Sequence, residues 1–233
     1  MNYPHHVAVI PDGNRTRAKE NNISTQKAYL LSYQRGVELI KYTFTHTDIK
    51  VFTLRWLSTE NANKRPKSEF DFLMTMYQII DEHLDDFLIQ NQINFKRIGN
   101  PEHITEWFKT YLNQKQKRTK CDSDKYFIFA VNYWWRDEII RWIQSLQQQW
   151  FDFNKITEKD LSQSLDLWDI PPIELVVRTK GDFAHRTSGF MSRWIGYAEL
   201  YFSHKKCPDL LVEDYKQALE WFDSVAQHRN FWK

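Results

Sequence analysis

An α/β fold, with a mostly parallel central sheet of about six strands flanked by helices, is what this 233-residue sequence predicts. Three observations predict it. Short apolar, β-branched or aromatic runs recur along the chain. Segments with helical spacing of apolar residues separate them, so successive strands are joined by crossovers and run parallel. Runs such as Tyr126–Val131 are apolar almost throughout, as strands covered on both faces are.

The first strand is His6–Ile10, stopped by Pro11 and the turn-forming Asp12-Gly13-Asn14, with a basic, helix-prone tail behind it. A helical pattern over Lys27–His46 leads to the second strand, Val51–Leu57. Phe70, Leu73, Met74, Tyr77, Ile80, Leu84, Phe87 and Leu88 then form one long amphipathic stripe. Strand Ile93–Ile98, helix Pro101–Lys115, a polar surface loop Lys115–Lys125 and strand Tyr126–Val131 follow. Helices are predicted at Arg136–Trp150 and at Thr157–Leu165, the latter with Thr157 and Asp160 spaced as an N-terminal cap. Strands Ile173–Arg178 and Glu199–Phe202 and helix Val212–Ala226 complete the pattern. Without an internal repeat or long linker, residues 1–233 read as one domain.

Composition narrows the function. A formal charge of +2 with no long basic run argues against a nucleic-acid partner. Cys121 and Cys207, the two cysteines, have neither disulfide-framework nor zinc-site spacing. No stretch approaches the ~20 apolar residues of a membrane span, and no signal peptide is visible, so a cytoplasmic protein is expected. An aromatic content of 16% calls for a large core or a roomy apolar pocket.

Ligands of such sheets bind beyond the carboxyl ends of the strands. Four polar clusters fall there: Asp12-Gly13-Asn14-Arg15; Ser58-Thr59-Glu60-Asn61 with Arg65 close behind; Asn132-Tyr133-Trp134-Trp135-Arg136; and Arg178 through Arg186 and Ser188 to Glu199. Arg178 and Arg186 offer planar forks to phosphate oxygens, and Ser188 adds a hydroxyl. Arg15 and Arg17 stand beside the first turn of a helix. Asp12 and Glu199 are the acids in this basic company, a mixture suited to Mg²⁺ bridging a carboxylate and a diphosphate. Each cluster taken alone also reads as an ordinary turn or a surface ion pair; four of them at strand ends do not.

HVAVIPDGN, TLRWLSTEN followed by KRPKSEFDFLM, NYWWRDEI, ELVVRTKGD and RTSGFMSRWIGYAELYF together resemble the cis-prenyltransferases, the undecaprenyl diphosphate synthase-like enzymes. The resemblance spans His6 to about Asp209. It implies a homodimer with an apolar tunnel between sheet and helices, adding isopentenyl diphosphate to an allylic prenyl diphosphate with Mg²⁺ to form a Z double bond. It also implies roles. Asp12 handles Mg²⁺ and the departing diphosphate; Arg178, Arg186 and Ser188 hold isopentenyl diphosphate. Glu199 helps bind Mg²⁺, from the neighbouring subunit in many members. Asn61 and Ser58 belong to the region of proton removal, oriented by Glu60. A long product would bring peripheral membrane contact.

The sequence departs from the family pattern in the acceptor half. Thr16 stands where relatives carry an arginine, with Arg17 in place of an aromatic; Tyr29 aligns with another arginine and Tyr33 with a histidine. Trp134-Trp135 replaces a Gly-Gly pair, Ala62 an aromatic, and Trp56 a small residue at the tunnel wall. These indoles either narrow the tunnel or fill core space vacated elsewhere. Gly13, Asn14, Arg15, Arg17, Arg65, Trp56, Trp134 and Tyr33 are accordingly expected around the substrates, joined by Glu60. Three readings follow: a transferase making a short or non-standard product, a standard long-chain synthase for the glycan-carrier lipid, or a catalytically weak prenyl-diphosphate-binding subunit.

Overall fold

The computed structural model describes residues 1–102, 104–157, 159–160, 166–167 and 169–228, with the side chains of 63 and 78–83 left undescribed. Its elements are β1 (His6–Ile10), α1 (Asn14–Glu20), α2 (Thr25–His46), β2 (Val51–Ser58), α3 (Thr59–Lys64), α4 (Lys67–Gln90), β3 (Asn94–Ile98), α5 (Glu106–Arg118), β4 (Tyr126–Tyr133), α6 (Trp135–Gln148), β5 (Leu175–Arg178), β6 (Glu199–Phe202) and α7 (Val212–Ala226). The sheet has six strands in the order β3-β4-β2-β1-β5-β6. Every pairing is parallel, where the sequence pattern had indicated only a mostly parallel sheet. None of the described helices is long and apolar enough to cross a membrane.

Parallel pairing requires each strand to be covered on both faces, and the core divides accordingly. One face packs Val7, Val9, Phe52, Leu54, Phe127 and Phe129 against α2, α4, α5 and α7. The other packs Ala8, Ile10, Ile128 and Ala130 with Trp142 and Leu146 of α6 and with Phe190, Met191 and Trp194. Leu73, Met74, Tyr77, Leu84 and Leu88 of the α4 stripe are buried, and Phe70 and Phe87 pack at its margin. The Ile80 side chain lies outside the described residues.

Two expectations are revised by tertiary pairing. Helix α5 continues past Lys115 to Arg118, so that residue does not open a surface loop. Lys115 is fully buried because Asp85 accepts its ammonium at 2.6 Å, Arg118 binds the same carboxylate, and the Phe95 ring lies 5.0 Å from the charge. Strands β2 and β4 run on to Ser58 and Tyr133, carrying their polar termini to the sheet's end. Thr157 and Asp160 exchange backbone-to-side-chain bonds of 2.8 and 3.4 Å, as a cap should. The rest of the helix expected at Thr157–Leu165 falls largely outside the described residues.

His6 is a buried group whose protonation is tied to folding. Its ring is fully enclosed between the Pro171 carbonyl at 2.8 Å and the Thr53 hydroxyl at 2.7 Å. Burial lowers its pKa from 6.5 to about 4, outweighing the favourable carbonyl contact. Above pH 6.5 neither state binds the proton. Between 6.5 and 4 the unfolded chain does and the folded one does not, so stability falls by roughly 3 kcal/mol on acidification. Urea unfolding from pH 7 to 4 should show this slope in the wild type, and a flatter one in His6→Gln. Parallel slopes would refute the account.

Candidate active site

The chain leaves β1 through Pro11 into Asp12, and Thr179, immediately after β5, fastens that exit. Its hydroxyl accepts from the Asp12 N–H at 2.6 Å and reaches the Asp12 carbonyl at 2.7 Å. The Cys207 N–H donates to the same carbonyl at 2.9 Å. Gly13 turns the chain into α1 with φ of +102°, a left-handed conformation that favours glycine. A Cβ here would also lie 2.9 Å from that of Lys206. The Gly13 N–H donates to Asp12 Oδ1 at 2.7 Å, and Arg178 Nη2 donates to Oδ2 at 2.8 Å. Asp12 is thereby oriented but still 37% exposed at its side chain, whereas Arg178 is only 5% exposed.

Around this carboxylate lies a cavity of about 360 Å³ at the carboxyl ends of β1, β2 and β5. Asp12, Gly13, Asn14 and Arg15 line it, with Ser58, Glu60, Asn61 and Arg65 from the second cluster and Arg178, Arg186 and Ser188 from the fourth. These segments, separated by up to 176 positions (Asp12 to Ser188), are brought together by the β2-β1-β5 strand order. Ser58 also caps α3, its side chain accepting from the Asn61 backbone N–H at 3.2 Å. Glu60 is exposed and bound to Lys64 at 2.7 Å, and that partner holds its carboxyl below the usual range. Arg178 Nη1 binds Ser188 Oγ at 3.0 Å and also the Arg186 carbonyl.

Four expected residues take other places. Arg17 does not line the cavity: its Nε meets Asp209 Oδ1 at 2.6 Å, since successive side chains of α1 diverge. Tyr33 is buried in an aromatic cluster behind the wall, its ring 5.6 Å from both Trp56 and Tyr77. Trp134 lies over Gly189, where a Cβ would fall 2.3 Å from the indole, so its bulk is accommodated by bare backbone on the neighbouring loop. Glu199 begins β6 at the sheet edge and is not part of the lining. Trp56 does line the cavity, 5.7 Å from Phe129 and 5.9 Å from Tyr77.

The Thr16 side of the cavity has its own cations. Thr16 lines the cavity, and so do Arg15, Arg35 and Arg65. Arg65 rests 5.2 Å from the Tyr29 ring, and the Tyr29 hydroxyl donates to Glu69 at 2.7 Å. Burial lowers the Arg65 pKa and raises that of Tyr29, so the tyrosine stays neutral beside the guanidinium. Arg35 reaches Glu38 with one nitrogen, while its Nε and that of Arg65 are buried without a hydrogen-bond partner.

Sequence reasoning passed over Arg35 and Arg55, both of which line the cavity, as does Lys180 of the fourth cluster. For Arg55 a signal existed: it is a lone charge inside the apolar strand VFTLRWLS. Arg35 carries no comparable signal, since cations on a helix are commonplace.

A parallel sheet whose strand ends gather guanidinium groups around one oriented carboxylate, above an aromatic wall, defines an enzyme acting on phosphate esters with apolar tails. The family described as "Putative undecaprenyl diphosphate synthase" matches residues 10–231. An isoprenyl transferase of Rhodopirellula baltica is 32% identical, covering 99% of this chain and 94% of its own. A ditrans,polycis-undecaprenyl-diphosphate synthase ((2E,6E)-farnesyl-diphosphate specific) of Buchnera aphidicola is 31% identical, over 93% of this chain and 87% of its own. Among solved structures, lavandulyl diphosphate synthase from Lavandula x intermedia in complex with dimethylallyl diphosphate superposes with a TM-score of 0.80 at 26% identity, covering 94% of this chain and 95% of that one. The chain belongs to the undecaprenyl diphosphate synthase family and is a cis-prenyltransferase, an enzyme that transfers prenyl groups.

Proposed function

We propose that this enzyme joins isopentenyl diphosphate, or a C5 relative, to a short allylic diphosphate in a Mg²⁺-dependent reaction that yields a short product. The observation that carries the reading is Trp56, a large indole that lines the cavity and is backed by Tyr33, Tyr77 and Phe129. An allylic tail extending from the cavity meets this wall early. The structural neighbour holding dimethylallyl diphosphate supports an acceptor of that size.

In the reaction the allylic C–O bond breaks, the new C–C bond forms, pyrophosphate departs and one proton is lost. Arg178, Arg186 and Ser188 hold the isopentenyl diphosphate; Arg15, Arg35 and Arg65 receive the acceptor's diphosphate in place of the arginines absent at Thr16 and Tyr29. Guanidinium groups already in position stabilise the charge that develops on the leaving group. Asn61 and Ser58 orient the region where the proton leaves. Neither is a base at neutral pH, so the proton passes to a pyrophosphate oxygen.

Among the described residues no three His, Cys, Asp or Glu side chains gather into a metal-holding group. One oriented, half-exposed carboxylate among cations nonetheless fits Mg²⁺, which binds through one or two carboxylates and takes its remaining ligands from phosphates and water. Asp12 would hold it. Bound there, the ion neutralises charge on the leaving diphosphate. Glu199, on the edge strand, would serve the cavity of a second copy in a homodimer.

Purified enzyme given Mg²⁺, isopentenyl diphosphate and allylic diphosphates of graded length should favour the shortest acceptors and release short products, identified by mass and double-bond geometry. Long Z-polyprenyl products would establish the alternative that the Buchnera relative's name supports, and the Arg15, Arg35 and Arg65 group is equally suited to the diphosphate of a longer acceptor. Diphosphate binding without turnover would favour a non-catalytic subunit.

A further inference from the structure

Arg55 lies in the middle of the sheet, on β2, and is only 9% exposed. Interior arginines are ordinarily paired with a carboxylate. Arg55 makes no ion pair within 4.0 Å with any described acid. Its Nη1 donates to the Thr187 carbonyl at 3.2 Å, and its Nη2 to the Ser188 carbonyl at 3.1 Å. The ring of Phe190 supports the guanidinium at 5.5 Å. Burial is the main cause lowering its pKa to about 10, with the nearby Arg178 charge adding to it.

The same loop is held from its other side. Arg178, on β5, binds the Arg186 carbonyl and the Ser188 hydroxyl. Strands β2 and β5 flank β1, so two interior guanidinium groups draw residues 186–188 over the strand end that carries Asp12. The arrangement has work to do, because Ser188 adopts φ of +51°, a left-handed conformation costly for a residue with a side chain. Released from either guanidinium, the backbone would relax and carry the Ser188 hydroxyl and the Arg186 side chain away from the cavity they both line.

We propose that Arg55 is a positioning residue for the diphosphate-binding loop Arg186–Ser188: it clamps two consecutive carbonyls so that Arg186 and Ser188 face the ligand, and it adds a positive charge to the cavity lining. The inference rests on the reading that this cavity binds a diphosphate. Lysine cannot replace it, since an ammonium lacks the rigid planar fork that reaches two carbonyls at once.

The test uses Arg55→Lys and Arg55→Gln. In both, KM for isopentenyl diphosphate should rise about tenfold or more, as expected on losing charged hydrogen bonds, while KM for the allylic partner changes by less than about twofold. Amide exchange at residues 187–190 should accelerate with circular dichroism unchanged. Equal losses for both substrates, or unaltered exchange in this loop, would overturn the proposal. Calorimetry with inorganic pyrophosphate separates it from the proposed reaction: wild type that binds pyrophosphate but condenses no isoprenoid pair refutes the reaction, whereas undiminished pyrophosphate affinity in both variants refutes the clamp. Should the Arg55 variants not fold, Phe190→Leu, which removes the ring beneath the guanidinium, decides. It should show the same substrate-selective change more weakly, and an unselective effect counts against the clamp.

Discussion

Replacing Asp12 with asparagine should lower kcat by about 10³-fold or more, roughly 4 kcal/mol of transition-state stabilisation, with little effect on the fold. The reasoning starts from its two contacts. Asparagine keeps an acceptor for the Gly13 N–H, so the turn survives. What disappears is the negative charge facing Arg178, with the hydrogen bond it accepts, and, in the proposed reaction, the carboxylate of this chain that draws Mg²⁺ to the leaving group. The substitution has a second, opposite signature. Without the metal, pyrophosphate should bind Asp12→Asn more tightly than wild type, because one anion has left a cavity lined by arginines. Turnover near the wild-type rate would remove Asp12 from the chemistry, and weaker metal-free pyrophosphate binding would remove it from the electrostatic account.

Trp56→Ala should lengthen the product by at least one C5 unit. The indole lines the cavity and packs against Tyr33, Tyr77 and Phe129, so its removal opens space beside the cavity, where the proposed reaction puts the growing tail. Its Nε1 is buried without a hydrogen-bond partner, so truncation abandons no polar contact. Loss of packing should still cost about 3 kcal/mol or somewhat more, the lower end for a large aromatic, since Trp56 is only partly buried. Chain-length analysis of the products together with a thermal melt checks both parts. A destabilised variant making products of unchanged length would show that the wall supports the core without measuring the tail.

How far the sequence could be read depended on the range over which each residue is determined. Strands were legible because a parallel sheet buries both faces, leaving unbroken apolar runs such as Phe127–Val131. Asp12, Arg178 and Ser188 were legible because they close or follow such strands at the end where ligands bind. Lys115 was not, since its burial depends on Asp85 in another helix. Arg17 was expected at the cavity, but its direction is decided by Asp209, far along the chain. Tyr33 was expected beside the substrates on its alignment alone, and Trp134 on its alignment and its place after a strand. Only packing reveals that one belongs to the aromatic cluster and the other to the surface above Gly189.

The strand order also has a consequence for how the protein is made. Strand β1 pairs with β2 through registers such as Val7 with Phe52, but its other edge waits for β5, where Val7 meets Leu175. At translation rates of about 5–20 residues per second, that partner emerges on the order of ten to thirty seconds later. During this interval the growing chain displays a central apolar strand with one edge unpaired, the kind of surface on which chaperones act and aggregates nucleate. The Asp12 turn likewise lacks Thr179 and Arg178 throughout, so a ribosome-bound N-terminal half has no assembled centre with which to react.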